Sequence, residues 1–228
     1  MPIRSPIGRP GSTSRLSGLG RCTRESLKVE WFVYGRDRPG VGTLRAELTE
    51  AHWSFMDGYA GAMIARGPTL TADRTAATGS MHMVDLPDAA AAREFAFEEP
   101  YYRAGVFADV LVRRWRNVLG GTMWDFEGDA AANRRFLVLG HGKPGMSTTR
   151  DTLVSEHRRY FVDQGYLDCF IERGPLLNDD GTEWVGSAML VELPDRAAVE
   201  AMLAREPYVN AGMYAKVEIH DWQFGGRS

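Results

Sequence analysis

The sequence lacks the features that mark secreted and membrane-spanning proteins. Only two cysteines occur in 228 residues, Cys22 and Cys169, and their spacing suits neither a disulfide framework nor a redox motif. No apolar run approaches the roughly 18 residues needed to cross a bilayer, and no secretory signal fits the N-terminus. We therefore expect a protein of a reducing compartment, cytoplasmic, with no membrane partner.

Motifs for phosphate, metal and covalent chemistry are also missing. There is no Gly-rich phosphate loop, no Ser or Cys nucleophile elbow and no helix with metal-ligand spacing. The five histidines show no mutual spacing typical of a zinc site. The sequence therefore predicts neither a cofactor nor a bound metal.

Charge is distributed unevenly along the chain. The net charge is −3, yet residues 1–28 carry six basic side chains against Glu25 alone, so the remainder is clearly acidic. An acidic body argues against nucleic acid as a partner. The Ser-, Gly-, Pro- and Arg-rich composition of 1–28 predicts a disordered tail, and a transit peptide or a start codon placed too far upstream would look the same.

The chain contains an internal repeat. Residues 79–115 align with 186–222 without a gap, and 16 of the 37 positions are identical. The preceding halves align at an offset of 105, with Pro39-Gly40 matching Pro144-Gly145 and His52 matching His157. We therefore divide the chain into a tail, two repeats joined by a linker, and a C-terminal tail: 1–28, 29–116, 117–133, 134–223 and 224–228.

Each repeat is predicted to form a ferredoxin-like β-α-β-β-α-β unit of the α+β class. Strand patterns alternate with two helical patterns, and Asp88 and Asp195 stand after Pro as helix N-caps. Such units form an antiparallel sheet with both helices on one face. Trp31, Val33 and Met83, with Val110, are too apolar for a solvated second face. We therefore predict that the repeats pack sheet to sheet as a pseudo-dimeric barrel within one chain. The expected assembly is a monomer, or a higher dimer that forms through other surfaces.

His52 is the leading candidate for chemistry. It lies on the apolar stripe of the first helix, and Asp37 lies fifteen residues upstream in the loop after the first strand. A carboxylate that reached the imidazole would fix its tautomer and make it a general base. The competing interpretation is a hydrogen-bonded core histidine beside a turn-forming aspartate.

The second repeat keeps the histidine and loses the carboxylate. His157 matches His52, but Gly142 stands at the position of Asp37, with His141 beside it. Contact between His141 and His157 would make a poorer base, so we expect a degenerate second site.

Three further side chains are candidates for lining a substrate pocket. Arg66 precedes the repeated Gly-Pro and could bind an anionic substrate, although arginines at strand ends are often solvated. Tyr101 and Tyr208 follow a repeated Glu-Pro, which we interpret as a tight turn that packs the tyrosine ring.

The ordered set of these motifs resembles the YCII-related family of the dimeric α+β barrel superfamily. The residues that carry the resemblance are Asp37, Pro39-Gly40, His52, Gly67-Pro68, Tyr101 and Ala104-Gly105, with Pro144-Gly145, His157, Gly174-Pro175, Tyr208 and Ala211-Gly212 in the second repeat. The resemblance implies ferredoxin-like units paired sheet to sheet and a His-Asp catalytic pair, which carries over only to His52 and Asp37. One relative acts as a dehydrochlorinase on a chlorinated hydroxyquinol-type ring. Both repeats depart from the family by having Glu-Pro-Tyr in place of Asp-Pro-Tyr.

Two functions follow as hypotheses. The first is a cofactor-independent enzyme of lyase or isomerase type, in which His52 and Asp37 remove a proton from a small-molecule ligand. The alternative is a non-catalytic ligand-binding or regulatory module of the same fold.

Overall fold

The computed structural model describes residues 29–227, so the prediction of a disordered tail over 1–28 lies outside the described residues. The first repeat contains β1 Val29–Asp37, α1 Gly42–Glu47, α2 Thr49–Asp57, β2 Met63–Leu70, β3 Ala77–Leu86, α3 Ala89–Phe97, α4 Pro100–Arg103 and β4 Phe107–Trp115. The second contains β5 Arg134–Gly142, α5 Ser147–Asp163, β6 Phe170–Leu177, β7 Trp184–Leu193, α6 Arg196–Ala204, α7 Pro207–Asn210 and β8 Tyr214–Trp222. Across 29–227, no helix combines the length and apolar character that a membrane span requires.

All eight strands join in one closed antiparallel barrel. Their order around the barrel is β1-β3-β2-β8-β5-β7-β6-β4, with β4 pairing back to β1. Two short junctions close the repeats on each other: Thr69 pairs with Trp222 between β2 and β8, and Arg114 pairs with Leu177 between β4 and β6. The predicted pseudo-dimeric α+β barrel is confirmed. The monomeric state stays a prediction.

The barrel interior is the largest apolar core. Because side chains alternate along a strand, Phe32 and Tyr34 of β1 point inward and pack with Leu137 and Leu139 of β5. Met83 also points inward, as predicted. The same prediction is wrong for Trp31, Val33 and Val110, which lie on the opposite face and pack beneath the helices. The prediction that both faces of the sheet are buried is correct, but it placed these three residues on the face that packs against the other repeat instead of the face that packs against the helices.

Helix boundaries follow the capping residues where these are strong. The Asp88 carboxylate accepts the backbone N–H of Ala91 at 2.9 Å, and Asp195 accepts that of Ala198 at 2.8 Å, so both predicted N-caps are confirmed. Apolar residues spaced three and four apart predict one helix from Thr43 to Tyr59, but the structure has two helices, α1 and α2, which meet at Leu48.

The repeated Arg-Gly-Pro lies within a strand in both repeats. Proline lacks the N–H that a strand ladder uses, so the sequence predicts that pairing ends there. This prediction is wrong, because Pro68 lies inside β2 and pairs with Ser80. A Cβ on Gly67 would overlap the Gln223 carbonyl oxygen, and glycine therefore lets the chain after β8 cross the strand. The Gln223 N–H donates to the Pro68 carbonyl at 3.3 Å. Gly174 admits Arg116 after β4 in the same way.

A charged cluster closes one end of the barrel between the repeats. Its centre is Glu218 on β8, whose carboxylate lies 2.6 Å from Nε2 of His141, 3.0 Å from Arg36 and 3.1 Å from Lys216. Burial acts to raise the pKa of Glu218, but the His141 hydrogen bond and the charges of Arg36 and Lys216 prevail and lower it to about 2. Arg36 belongs to the first repeat, so this cluster links the two repeats electrostatically.

We expect Glu218→Gln to lower the free energy of unfolding by about 1–3 kcal/mol near neutral pH, because Arg36 and Lys216 lose their carboxylate and His141 loses a charged hydrogen-bond partner. A lowered folded-state pKa stabilises the fold above the ordinary value of 4.5, and that contribution is lost as pH falls toward about 2. Urea unfolding of both proteins between pH 7 and pH 2 should therefore give curves that converge at the acidic end.

The matched control is Glu200→Gln, which removes an exposed carboxylate paired with Arg196 across one helical turn. We expect a change of under about 0.5 kcal/mol for this variant. A constant difference between the Glu218 variant and the parent across the whole pH range would contradict the assignment.

Candidate active site

His52 is held on α2 by a buried carboxylate. The imidazole is 8% exposed, and its Nδ1 lies 2.5 Å from Oε1 of Glu99, which is 3% exposed. The second oxygen of Glu99 accepts the backbone N–H of Tyr102 at 2.9 Å, because Glu99 is the N-cap of α4. A carboxylate can only accept, so Nδ1 carries the proton and Nε2 is the nitrogen left for a substrate.

Asp37 is near this pair but holds a different partner. It ends β1 instead of lying in the following loop, and its carboxylate binds Arg45 of α1 at 2.8 and 3.0 Å. The hydrogen bond that His52 was expected to donate to Asp37 is therefore replaced by one that it donates to Glu99. Burial raises the pKa of Asp37, and Arg45 opposes that rise. Arg45 also donates to the Ser80 hydroxyl at 2.7 Å, so Asp37 and Ser80 together hold its guanidinium in place.

Aromatic rings complete the wall around His52. Tyr101 stacks on the imidazole with ring centroids 4.3 Å apart, and the Arg45 guanidinium lies 4.5 Å from the centroid of the same tyrosine ring. The Tyr101 hydroxyl donates to Thr49 at 3.2 Å. His82 of β3 lies 5.8 Å from His52, centroid to centroid, and burial together with the charge of His52 keeps the pKa of His82 well below its usual 6.5. His82 is therefore neutral near neutral pH.

These groups line a cavity of about 230 Å³ built by both repeats. His52, Tyr101, Arg45 and Arg66 come from the first repeat, and residues 223–226 after β8 form the remaining wall. The Nε of Arg66 is buried without a hydrogen-bond partner among residues 29–227, and its nearest carboxylate, on Asp57, is 3.8 Å away. The cavity therefore joins a histidine with a free nitrogen to an arginine that is only weakly paired.

The second repeat reproduces the histidine and its carboxylate. Nδ1 of His157 lies 2.6 Å from Oε1 of Glu206, and Tyr208 stacks on His157 at 4.0 Å with the rings nearly parallel. His141 does not join them, because its Nε2 binds Glu218 at the barrel end. The second site therefore contains His157 and Glu206, and the contact expected between His157 and His141 is not made.

Sequence reasoning missed the glutamate. Glu99 and Glu206 were interpreted only as parts of a turn, although they are retained in both repeats together with His52 and His157. Asp37, by contrast, has no counterpart. The presence of both the histidine and the glutamate in each repeat was the signal that they are partners. Spacing along the chain could not reveal the pair, because 47 residues separate His52 from Glu99.

A tryptophan occupies part of the second cavity. Trp184 occupies the position of Ala77 in the repeat alignment, and its ring packs against Tyr208 and Tyr214. A Cβ on Gly142 would lie 2.6 Å from this ring, so a carboxylate at the position of Asp37 has no room. The remaining cavity measures about 40 Å³. The glycine at position 142 and the tryptophan at position 184 therefore depend on each other, because the Trp184 ring occupies the space that an aspartate side chain would need.

Metal binding finds no support in the geometry of the described chain. Within residues 29–227, no group of three or more His, Cys, Asp or Glu side chains is arranged to hold an ion.

The closed barrel of two repeated units is the fold of the dimeric α+β barrel class. A mutant chlorite dismutase from Candidatus Nitrospira defluvii, in complex with cyanide, matches 85% of this chain and 90% of its own at a TM-score of 0.56 and 11% identity. An anthrone oxidase-like protein matches 87% of this chain and 91% of its own at 0.53 and 12%. At such identities these similarities show the fold alone.

The chain belongs to the YCII-related domain family, whose model matches residues 29–116 and again residues 134–223. A single-repeat structure, 5-chloro-2-hydroxyhydroquinone dehydrochlorinase from Burkholderia phenoliruptrix AC1100 in complex with 2,5-dihydroxybenzoquinone, is 27% identical over 40% of this chain and 98% of its own, with a TM-score of 0.38. No protein with a curated description matches the chain.

We expect Glu99→Gln to disturb the tautomer of His52. In the parent, neutral His52 should carry its proton on Nδ1, and ¹⁵N chemical shifts of the two ring nitrogens report this directly. Without the carboxylate, the Nδ1–H form should lose its preference.

Glu206→Gln is the matched control, since it should alter His157 and leave the His52 shifts unchanged. Finding the Nε2–H tautomer at His52 in the parent would contradict the assigned geometry.

Proposed function

We propose that the chain is a cofactor-independent acid-base enzyme with one competent site, in the first repeat. His52 is its general base, and its substrate is a small cyclic or carbonyl compound. The observation that carries this proposal is the buried His52–Glu99 pair facing a cavity of about 230 Å³, whereas its counterpart faces about 40 Å³.

In this proposal, Nε2 of His52 accepts a proton from a carbon beside a carbonyl or from a ring hydroxyl. The electron pair left behind forms a new double bond. In an elimination, the leaving group departs with its own electron pair. In an isomerisation, the proton returns to a different carbon. Glu99 stabilises the imidazolium that forms, in the manner of a carboxylate that orients a catalytic histidine.

Two arginines complement the charge that develops on the substrate. Proton removal leaves an enolate or phenolate, and preorganised donors near the developing oxyanion lower the barrier. Arg45 and Arg66 both line the cavity. Asp37 has a positioning role, because its two contacts with Arg45 hold that guanidinium against Tyr101.

The central test compares His52→Gln with His157→Gln. Chloride release from a chlorinated hydroxyquinol and proton exchange in a panel of small cyclic ketones supply the assays. We expect His52→Gln to lower kcat by about 10²- to 10⁴-fold, because the general base is lost. Asp37→Asn should cost about 10- to 100-fold through misplacement of Arg45.

His157→Gln is the matched control and should retain the parent kcat. Equal losses in the two histidine variants would contradict a single competent site. Ligand binding without turnover in the parent would instead favour the ligand-binding module.

Occupancy of the first cavity gives a second prediction. Ala77→Trp places in the first repeat the side chain that Trp184 has in the second, so we expect it to reduce the cavity and abolish binding of the same small molecules. Isothermal titration calorimetry measures the loss, and circular dichroism checks that the fold persists. Undiminished affinity in the folded variant would show that ligands bind elsewhere.

A further inference from the structure

The second cavity carries a cluster of positive charge that the proposed catalytic function leaves unexplained. Its lining includes Arg150, Arg158 and Arg173, and no lining residue is acidic. The buried carboxylate of Glu206 is already bound by His157 and by the backbone N–H groups of Tyr208 and Val209.

Comparison of the repeats shows how this charge arose. Arg150 matches Arg45, but the aspartate that neutralises Arg45 is Gly142 here. Arg158 stands at the position of Trp53, which adds a cation. The second cavity has therefore lost a carboxylate and gained a guanidinium relative to the first.

Several donors at this cavity have no partner within the described part of the chain. They are Nε and one terminal nitrogen of Arg173, Nε of Arg150 and the hydroxyl of Tyr208, which is 2% exposed. Buried donors are almost always satisfied, so these groups require an acceptor from solution. Arg150 makes one ion pair, with the largely exposed Asp151 at 3.2 Å, which leaves its Nε free.

Arg173 is the most constrained of the three arginines. Its guanidinium lies 4.9 Å from the Phe161 ring centroid and 4.8 Å from that of Phe170, and its Nε and one terminal nitrogen meet no acceptor among residues 29–227. Burial lowers its pKa, and the charge of Arg158 adds to the effect. A bound anion would accept hydrogen bonds from the unpaired donors of Arg173 and would also compensate its buried charge. Water would satisfy the donors but leave the charge uncompensated.

We propose that the second repeat binds a small oxyanion, such as sulfate, phosphate or a carboxylate group, between Arg150, Arg158, Arg173 and the Tyr208 hydroxyl. The remaining volume of about 40 Å³ accommodates a group of a few heavy atoms and excludes a ring-sized substrate. The second cavity therefore differs from the first in both its volume and its charge. This proposal is independent of catalysis in the first repeat.

The test is calorimetric titration of the full chain with sodium sulfate or phosphate, replacing chloride at constant ionic strength. Repeating it in the folded Ala77→Trp variant removes the first cavity as a competing site. We expect saturable binding at one anion per chain, weakened about tenfold or more by Arg173→Met and by Tyr208→Phe, since each loses donors to a charged ligand.

Tyr101→Phe is the matched control for the hydroxyl, because the Tyr101 hydroxyl already donates to Thr49, and it should leave anion affinity unchanged. Tyr208→Phe keeps the ring that stacks on His157 and should therefore fold, so it tests the anion site even if Arg173→Met does not fold. A heat signal that rises linearly without saturation, and equally in the parent and both variants, would be a general salt effect and would overturn the proposal.

Discussion

The structure depends on one packing constraint: each four-stranded sheet is apolar on both faces, but its helices cover only one of them. The chain covers the other face with its own second copy. Phe32, Tyr34, Leu137 and Leu139 are fully or almost fully buried only because β1 and β5 face each other across a closed barrel. Closure also pairs one end of each outer strand through the short β2–β8 and β4–β6 junctions, which shortens the unpaired strand edges.

Fusion of the copies has a chemical consequence as well as a structural one. Each cavity is walled by its own repeat and by the segment leaving the other repeat's last strand, 223–226 for the first cavity and Val118 for the second. Two copies in a single chain can change independently, whereas identical subunits cannot. Retention of both His-Glu pairs preserved the local scaffold, while Trp184, Gly142 and Arg158 changed the space and charge around only one of them.

Prediction from the sequence succeeded where the determining interaction is local or repeated. The order of strands and helices and the caps Asp88 and Asp195 follow from nearby residues, and burial of His52 follows from helical periodicity. Prediction failed where the partner is distant. Asp37 was chosen for His52 because fifteen residues separate them, yet the barrel places Glu99 on the ring and Arg45 on Asp37.

The sequence by itself determined that the fold occurs twice, that each copy has two apolar faces, and that an inward-facing histidine recurs in both. These conclusions rest on periodicity and self-similarity, which are properties of a linear chain. Only the tertiary structure decided which carboxylate contacts each histidine and on which face of the sheet Trp31 lies. It also decided that Trp184 occupies much of one of two equivalent cavities. Those outcomes depend on side chains from distant segments competing for the same space, and a linear pattern carries no record of that competition.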